Sequence, residues 1–260
     1  METGRSPKVS AQLQLGFSEQ YARTVFDRDS RRQKAKKVLS ILADCLGDLT
    51  ALTAIDIGCA AGYSTVWYGK AFKWVVGTDI DSKALKHARM HNGAENVAYV
   101  LMDGQRLAFA DAVFDVAICA HVYEHVPNAH LLLAEIRRLL KPGGVCFFSA
   151  GNRIALIEPH YRLPFLSILP RPVANAYLRA LNRGRYYYEK HMTYWQLRKL
   201  VQDFELLDYT KSVVDDPARF CAEDVVRPRS VLQRASQCMM KLMYWACPTY
   251  LWVLRKPLRG

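Results

Sequence analysis

Between residues 52 and 149, short apolar runs alternate with segments in which apolar positions recur every three or four residues. The runs predict strands at 52–57, 74–79, 97–102, 113–120 and 144–149, and the segments between them predict helices at 63–71, 82–92 and 128–140. Asp81 or Ser82 is placed to cap the second of these helices, and Lys141-Pro142-Gly143-Gly144 stops the third and turns the chain into the next strand. This βαβ rhythm calls for an α/β fold, a doubly wound and mostly parallel sheet with helices on both faces.

The flanks read differently. Residues 18–46 have helix-forming composition, with a basic block (Arg31, Arg32, Lys34, Lys36, Lys37) running into Val38, Leu39, Ile41 and Leu42, and predict one or two leading helices. After Gly151 the text becomes Arg- and Tyr-rich, with Pro164, Pro170 and Pro172, followed by a helix at 193–203, a strand at 205–214 and a last strand at 250–255. Within 230–246, Arg234, Gln237 and Lys241 fall opposite Leu232, Met239, Met240, Leu242, Met243 and Trp245. That amphipathic helix has an apolar face for the sheet, or for a membrane or greasy substrate. The expected division is leading helices over 1–50, a ligand-binding core over 51–150, and substrate-covering insertions with the last two strands over 151–260.

Composition narrows the class. Of 260 residues, 51% are hydrophobic and 23% charged, so disorder and low complexity are excluded for most of the chain. Seven cysteines without a CxxC pair argue against a disulfide framework or a zinc site, and no metal is expected. Residues 1–19 are polar and show no leader, and the longest late apolar stretch, 242–254, is 13 residues interrupted by Pro248. A span needs about 20. The expected location is therefore cytoplasmic, with peripheral contact to a membrane open. Of the net charge of +12, residues 151–260 hold +9 while residues 51–150 are neutral. A solvated basic face accounts for that, as does a surface meeting phosphate, nucleic acid or lipid.

Candidate chemistry starts where the first strand ends in small residues, Asp56-Ile57-Gly58-Cys59-Ala60-Ala61-Gly62. Small residues let backbone N–H groups approach a ligand at the carboxyl edge of the sheet. A dinucleotide G-x-G-x-x-G is not met, because Ala60 and Tyr63 stand where glycines are needed; the register is G-x-G-x-G with Ala60 in the middle.

This segment resembles the first motif of class I S-adenosylmethionine-dependent methyltransferases, and four more matches follow in order. They are Val75-Val-Gly-Thr-Asp79, Leu101-Met-Asp103-Gly104, the segment from Phe114 through Ala120-His121-Val-Tyr-Glu124-His125, and Leu139-Leu-Lys-Pro-Gly-Gly144. The fourth is similar to the broad group that includes ubiquinone/menaquinone-biosynthesis methyltransferases.

The resemblance implies a seven-stranded Rossmann-like sheet with helical insertions in the C-terminal half and S-adenosylmethionine as cofactor. Asp79 would meet the ribose hydroxyls and Asp103 the adenine amino group. The implied cofactor contacts are Tyr21, Asp56, Gly58, Cys59, Ala60, Gly62, Asp79, Ile80, Asp103, Gly104, Ala120 and His121. In the resembled group Glu124-His125 begins a helix and often braces the site.

Methyl transfer is an in-line displacement that depends above all on positioning, and an alcohol acceptor also needs its proton removed. His121, His125 and His160 are the candidate catalytic histidines. The Asn/Asp-Pro-Pro-aromatic signature of base and amide methylation is absent after the fourth strand, which favours oxygen or carbon on a small or lipid-linked acceptor. RNA methylation and a non-catalytic cofactor-binding subunit remain as alternatives.

Overall fold

A computed structural model of the chain describes Ser18, residues 22–158 and residues 161–258. After a short helical turn at Ala22–Val25 comes α1 (Arg28–Leu46), and then β1 (Thr53–Ile57), α2 (Thr65–Gly69), β2 (Trp74–Asp79), α3 (Ser82–His91), β3 (Val97–Leu101), β4 (Phe114–Ala120), α4 (Ala129–Leu139) and β5 (Leu140–Gly151). The remaining third holds a two-residue hairpin, β6 (Ile157–Glu158) and β7 (Leu163–Pro164), then α5 (Arg171–Ala180), α6 (Tyr194–Leu200), β8 (Glu205–Asp208), α7 (Thr210–Asp215), α8 (Val231–Met243) and β9 (Thr249–Arg255).

Seven strands form one sheet in the order β3-β2-β1-β4-β5-β9-β8. The first five are parallel, and β9 runs antiparallel between β5 and β8. This is the Rossmann-like methyltransferase sheet that the motifs imply, with the last strand antiparallel beside the fifth. Side chains alternate between faces along each strand. Ile55 and Ile57 of β1 meet Leu132, Leu133 and Ile136 of α4 on one face, whereas Ala54 points to Ile41 and Leu42 of α1 and Tyr68 of α2 on the other.

Local chemistry accounts for the borders. The Asp81 side chain accepts from the backbone N–H groups of Lys83 and Ala84, capping α3, and Asn128 does the same for α4 through His130 and Leu131. The predicted stop at 141–144 does not interrupt β5. Pairing resumes after a register shift, Leu140 lying opposite Phe114 and Val145 opposite Val116.

The predicted strand at 205–214 is also altered. Only Glu205–Asp208 pairs, because the Asp208 carboxylate accepts from the Thr210 N–H and starts α7. Val213, whose β-branched neighbour Val214 strengthened the strand signal, is instead buried from that helix. In α8 the buried side chains are Met240 and Gln233, the latter donating to the Val214 and Asp215 carbonyls, while Leu232 and Leu242 stay exposed.

All seven cysteines are free thiols. Among the described residues no helix is long and apolar enough to cross a membrane, and no group of three or more His, Cys, Asp or Glu could hold a metal.

Candidate active site

A cavity of about 290 Å³ opens at the carboxyl ends of the central parallel strands, at the lower end of small-molecule pockets, roughly 300–1,000 Å³. Its floor is Ile57 and Gly58 after β1, Thr78, Asp79 and Ile80 after β2, Met102, Asp103 and Gly104 after β3, and Ala120, His121 and Val122 after β4. His125 and Val126 extend the last wall, and Arg31, Lys34 and Val38 of α1 form the roof.

The turn after β1 is built for close approach. Gly58, at φ 75°, faces Val122, whose Cγ2 would lie 2.7 Å from an added Cβ. Ala60 has φ 48°, a left-handed conformation that costs an L residue about 1–2 kcal/mol, at the position where the resembled motif has glycine. Asp79 holds this turn. One carboxylate oxygen accepts from the Ala60 N–H at 2.7 Å and the other from the Asp81 N–H at 2.8 Å. Burial lifts the Asp79 carboxyl above its ordinary value, and these backbone donors oppose it.

Other residues expected to touch a cofactor lie beside the cavity. Asp56 is buried and accepts from the Thr65 hydroxyl at 2.6 Å, so it ties β1 to the start of α2. Cys59 packs against Leu85 and Tyr99, and Gly62 makes room for the Tyr99 hydroxyl, which donates to the Asn92 carbonyl at 2.8 Å. Tyr21 and His160 lie outside the described residues.

On the opposite wall His121 has φ 58° and is held at both ring nitrogens, Nδ1 at 3.2 Å from Glu124 Oε1 and Nε2 at 2.9 Å from Ser149 Oγ. Glu124 and His125 fall in a turn ahead of α4 rather than at a helix start, and the Glu124 side chain is bonded to His121. The Glu124 side chain is fully buried. Burial alone would raise its carboxyl, but the hydrogen bond from His121 and the nearby His121, His125 and His191 rings bring it to about 2. An ionised carboxylate only accepts, so the bond to Glu124 is donated by Nδ1–H. Nε2 shares the second hydrogen bond with the Ser149 hydroxyl. His121 is thus fixed in orientation at the cavity wall.

The roof was not anticipated. Arg31, Lys34 and Val38 stand at i, i+3 and i+7, one face of a helix, a spacing present in the sequence but read as an ordinary helix entry. Burial lowers the Arg31 guanidinium, and the Tyr68, Asp56, Asp27 and Asp79 charges oppose this. Lys34 is accessible from the cavity but crowded by protein on its other sides; that crowding, with Arg31 and Lys37, brings its ammonium down to about 8. Ser149 was missed because it lies mid-strand in β5, where a serine carries no signal of its own.

Residues 55–148 match the family described as "Methyltransferase domain", which spans β1 to β5 and the whole cavity floor. The chain carries a class I S-adenosylmethionine-dependent methyltransferase domain. Around this methyltransferase domain the chain is 34% identical over 137 residues to the ubiquinone biosynthesis O-methyltransferase of Thiobacillus denitrificans, covering 49% of this chain and 58% of that one. The chain thus spans just over half the length of that relative.

Among solved structures, phosphoethanolamine N-methyltransferase 1 of Haemonchus contortus, in complex with phosphoethanolamine and S-adenosylhomocysteine, superposes with a TM-score of 0.59 at 12% identity, over 98% of this chain and 51% of that one. An S-adenosylmethionine-dependent methyltransferase from Mesorhizobium loti gives 0.52 at 17% identity, over 84% and 97%. At these identities the structures share the methyltransferase domain's fold.

Asp56 generates a test of the site's electrostatics. Burial, with Asp79 adding like charge, lifts its carboxyl from 3.8 to about 7, while Thr65 and Arg31 oppose the rise. A raised acid stabilises the fold fully below the unfolded value, and that contribution is lost as pH rises through 7, where the fold must hold a buried charge. Asp56→Asn should therefore melt roughly 5 °C above the parent at pH 8, a gap that narrows toward pH 4. Thermal melts across this range check it; a gap independent of pH would mean that Asp56 does not titrate here.

Proposed function

We propose that the chain transfers the methyl group of S-adenosylmethionine to an oxygen of a small or lipid-linked acceptor. The observation that carries this reading is the Glu124–His121–Ser149 chain of hydrogen bonds on one wall of a cavity whose floor is the Gly58–Ala60 turn and Asp79. The cavity suits the cofactor. Each Asp79 oxygen accepts one backbone N–H and retains acceptor capacity for a ribose hydroxyl. Gly58 leaves the turn open where a side chain would collide with Val122, and Arg31 and Lys34 set positive charge across from the acidic residues to receive a carboxylate.

When bound, S-adenosylmethionine supplies a methyl group on a positively charged sulfur, which leaves as a neutral thioether when the acceptor atom takes the carbon. The protein contributes alignment and proton removal. A hydroxyl acceptor seated at His121 displaces the Ser149 hydroxyl from Nε2 and gives its proton to that nitrogen. Glu124, held ionised in the interior, stabilises the resulting imidazolium through Nδ1–H. The relative from Thiobacillus denitrificans is by name an O-methyltransferase of ubiquinone biosynthesis, which supports an oxygen acceptor in a quinone-type molecule. An RNA acceptor draws support from the net charge alone, and a purely binding role leaves the fixed base without a task.

Two substitutions separate binding from chemistry. Asp79→Ala removes a charged partner of the ribose hydroxyls, worth about 1.5–3 kcal/mol, so calorimetric affinity for S-adenosylmethionine should fall ten- to a hundred-fold. His121→Ala should leave that affinity within a few-fold and lower turnover by roughly a hundred-fold. Unchanged affinity in the first removes the cofactor assignment. Release of S-adenosylhomocysteine at parental rate in the second removes the base.

A lipid-linked acceptor also implies a membrane-facing surface. Trp195 and Trp245 stack at 5.7 Å with 58% and 39% of their surfaces exposed, and Leu242, three residues before Trp245, is 75% exposed. Arg198 and Lys199 share α6 with Trp195, and Lys241 stands in α8, just before the turn at Tyr244–Ala246 that carries Trp245. Interfacial tryptophans with basic neighbours fit the headgroup region of an anionic bilayer, each well-placed cation adding about 1 kcal/mol. Vesicles containing phosphatidylserine should sediment the protein better than neutral vesicles, less so as salt rises, and Trp195→Ala should weaken the effect. Equal sedimentation with both vesicle types would leave the patch a solvated surface.

A further inference from the structure

The segment between β5 and α6 carries a surface that the reaction as described does not use. Within residues 151–192, Arg153, Arg162, Arg171, Arg179, Arg183 and Arg185 are all exposed, and so is Lys190. The carboxylates of this segment are Glu158 and Glu189, and both are buried. Among the described residues none of these cations makes an ion pair; Arg171 and Lys190 reach only the Tyr188 and Pro127 carbonyls. A soluble surface ordinarily intersperses both signs. Here the outward charge is positive throughout.

The same segment shows apolar side chains to solvent. Its own small core, Tyr161, Leu163, Leu166, Ala174, Leu178 and Tyr187, is separate from the two clusters that flank the sheet. In α5, Ala174 and Leu178 face that core, and at about 3.6 residues per turn Pro172, Val173, Ala176 and Ala180 fall on the outward side, all exposed and none polar. A surface helix ordinarily turns its polar residues outward. Arg171 and Arg179 stand near the two ends of this face. Phe165 and Ile168 precede α5 and Leu181 follows it, at 52%, 42% and 47% exposed. Pairing of Ile157 with Pro164, and the Phe165 N–H donating to the Leu156 carbonyl at 2.8 Å, set the exposed Leu156 and Ile157 beside Phe165.

We propose that α5 and the turns on either side of it dock into the headgroup region of an anionic bilayer. Charge and apolarity together select this occupant. A second copy of the chain would bring the same cations, with no exposed acid in the segment to pair them. An RNA would take the arginines but leave Ile168, Val173 and Leu181 in water, since nucleic acids are held through their phosphates and by stacking on aromatic rings. At the boundary between headgroups and acyl chains, aliphatic side chains are buried while flanking cations meet the anionic lipids. None of these residues belongs to α6 or α8, so the surface is built from other residues than the stack of Trp195 and Trp245.

The docking face is tied to the site. The segment leaves β5 at Gly151 and is fastened again at Met192, whose carbonyl accepts from the Arg153 N–H at 2.9 Å, and the Lys190 N–H donates to the Glu124 carbonyl at 2.9 Å. Glu124 in turn holds His121 in the cavity wall. Docking at α5 thus keeps that wall attached to the membrane in which a lipid-linked acceptor resides, a use that rests on the proposed lipid-linked acceptor.

The test follows hydrogen exchange by mass spectrometry in the full chain, with vesicles of equal parts phosphatidylserine and phosphatidylcholine, with neutral phosphatidylcholine vesicles, and with a duplex RNA. Backbone amides of residues 165–181 should exchange more slowly on the anionic vesicles and as in the free protein with the other two. The pair Arg171→Gln with Arg179→Gln, and separately Val173→Asp, replace outward side chains, and thermal melts check that the fold is kept. Each should weaken partition onto the anionic vesicles roughly ten-fold or more. Failure to sediment with those vesicles, sedimentation with unchanged exchange at 165–181, or partition indifferent to both changes overturns the proposal. Protection by RNA that survives Val173→Asp overturns it in favour of a nucleic-acid surface. Methyl transfer is not part of the readout, so a chain that docks in this way yet methylates only water-soluble acceptors overturns the lipid-linked reading and leaves the docking in place.

Discussion

A single half-buried carboxylate organises the site. Asp79 stands at the end of β2 and accepts from the backbone of the turn after β1 and from the start of the α3 cap, so two loops that no strand pairing connects are fixed to one another. Because burial disfavours its charge, these N–H donors are what keep it an acceptor. Ala60 tolerates its left-handed backbone because its N–H is one of the two. The strain in the turn and the carboxylate beneath it hold each other in place, so the chain's own bonds shape the cavity floor.

The opposite wall uses the same device with a different outcome. Glu124 is held ionised in the interior by surrounding imidazoles, and His121 sits between it and Ser149. The two carboxylates are thereby pushed in opposite directions, Asp79 upward by burial and Glu124 downward by its partners.

Much of the core was legible in the sequence, and the reason is local. Strands β1, β2, β4 and β5 are largely buried and read as apolar runs, α3 and α4 carry side-chain caps, and Gly58, Asp79 and Asp103 stand at or just after strand ends, so motif and position coincide. What was not legible depends on distant partners. Thr210–Asp215 reads as strand from Val213 and Val214, yet Asp208 turns it into a helix whose Thr210 hydroxyl accepts from Leu251. Of the apolar face read for α8, as packing on the sheet or meeting a membrane, Met240 is buried while Leu232 and Leu242 are exposed, and the buried Gln233 donates to two carbonyls 18 and 19 residues away. Arg31 and Lys34 look like helix surface until the sheet's edge is placed beneath them. In each case a polar bond formed across the fold outweighed a local apolar pattern.

The roof helix is also fastened from far along the chain. Gln33 donates to the Cys221 carbonyl, Lys37 pairs with Asp224, and Asp44 receives both Arg219 and the Tyr209 hydroxyl. These contacts join residues 165 to 188 positions apart, and β9 is inserted between β5 and β8 only once residues 249–255 exist. On a ribosome that makes the N-terminal part first, α1 and the parallel strands emerge long before the segment that clasps them. The cavity therefore acquires its floor early and its fastened roof last, and the nascent protein passes through a stage with an open, loosely covered sheet edge that a chaperone could shield.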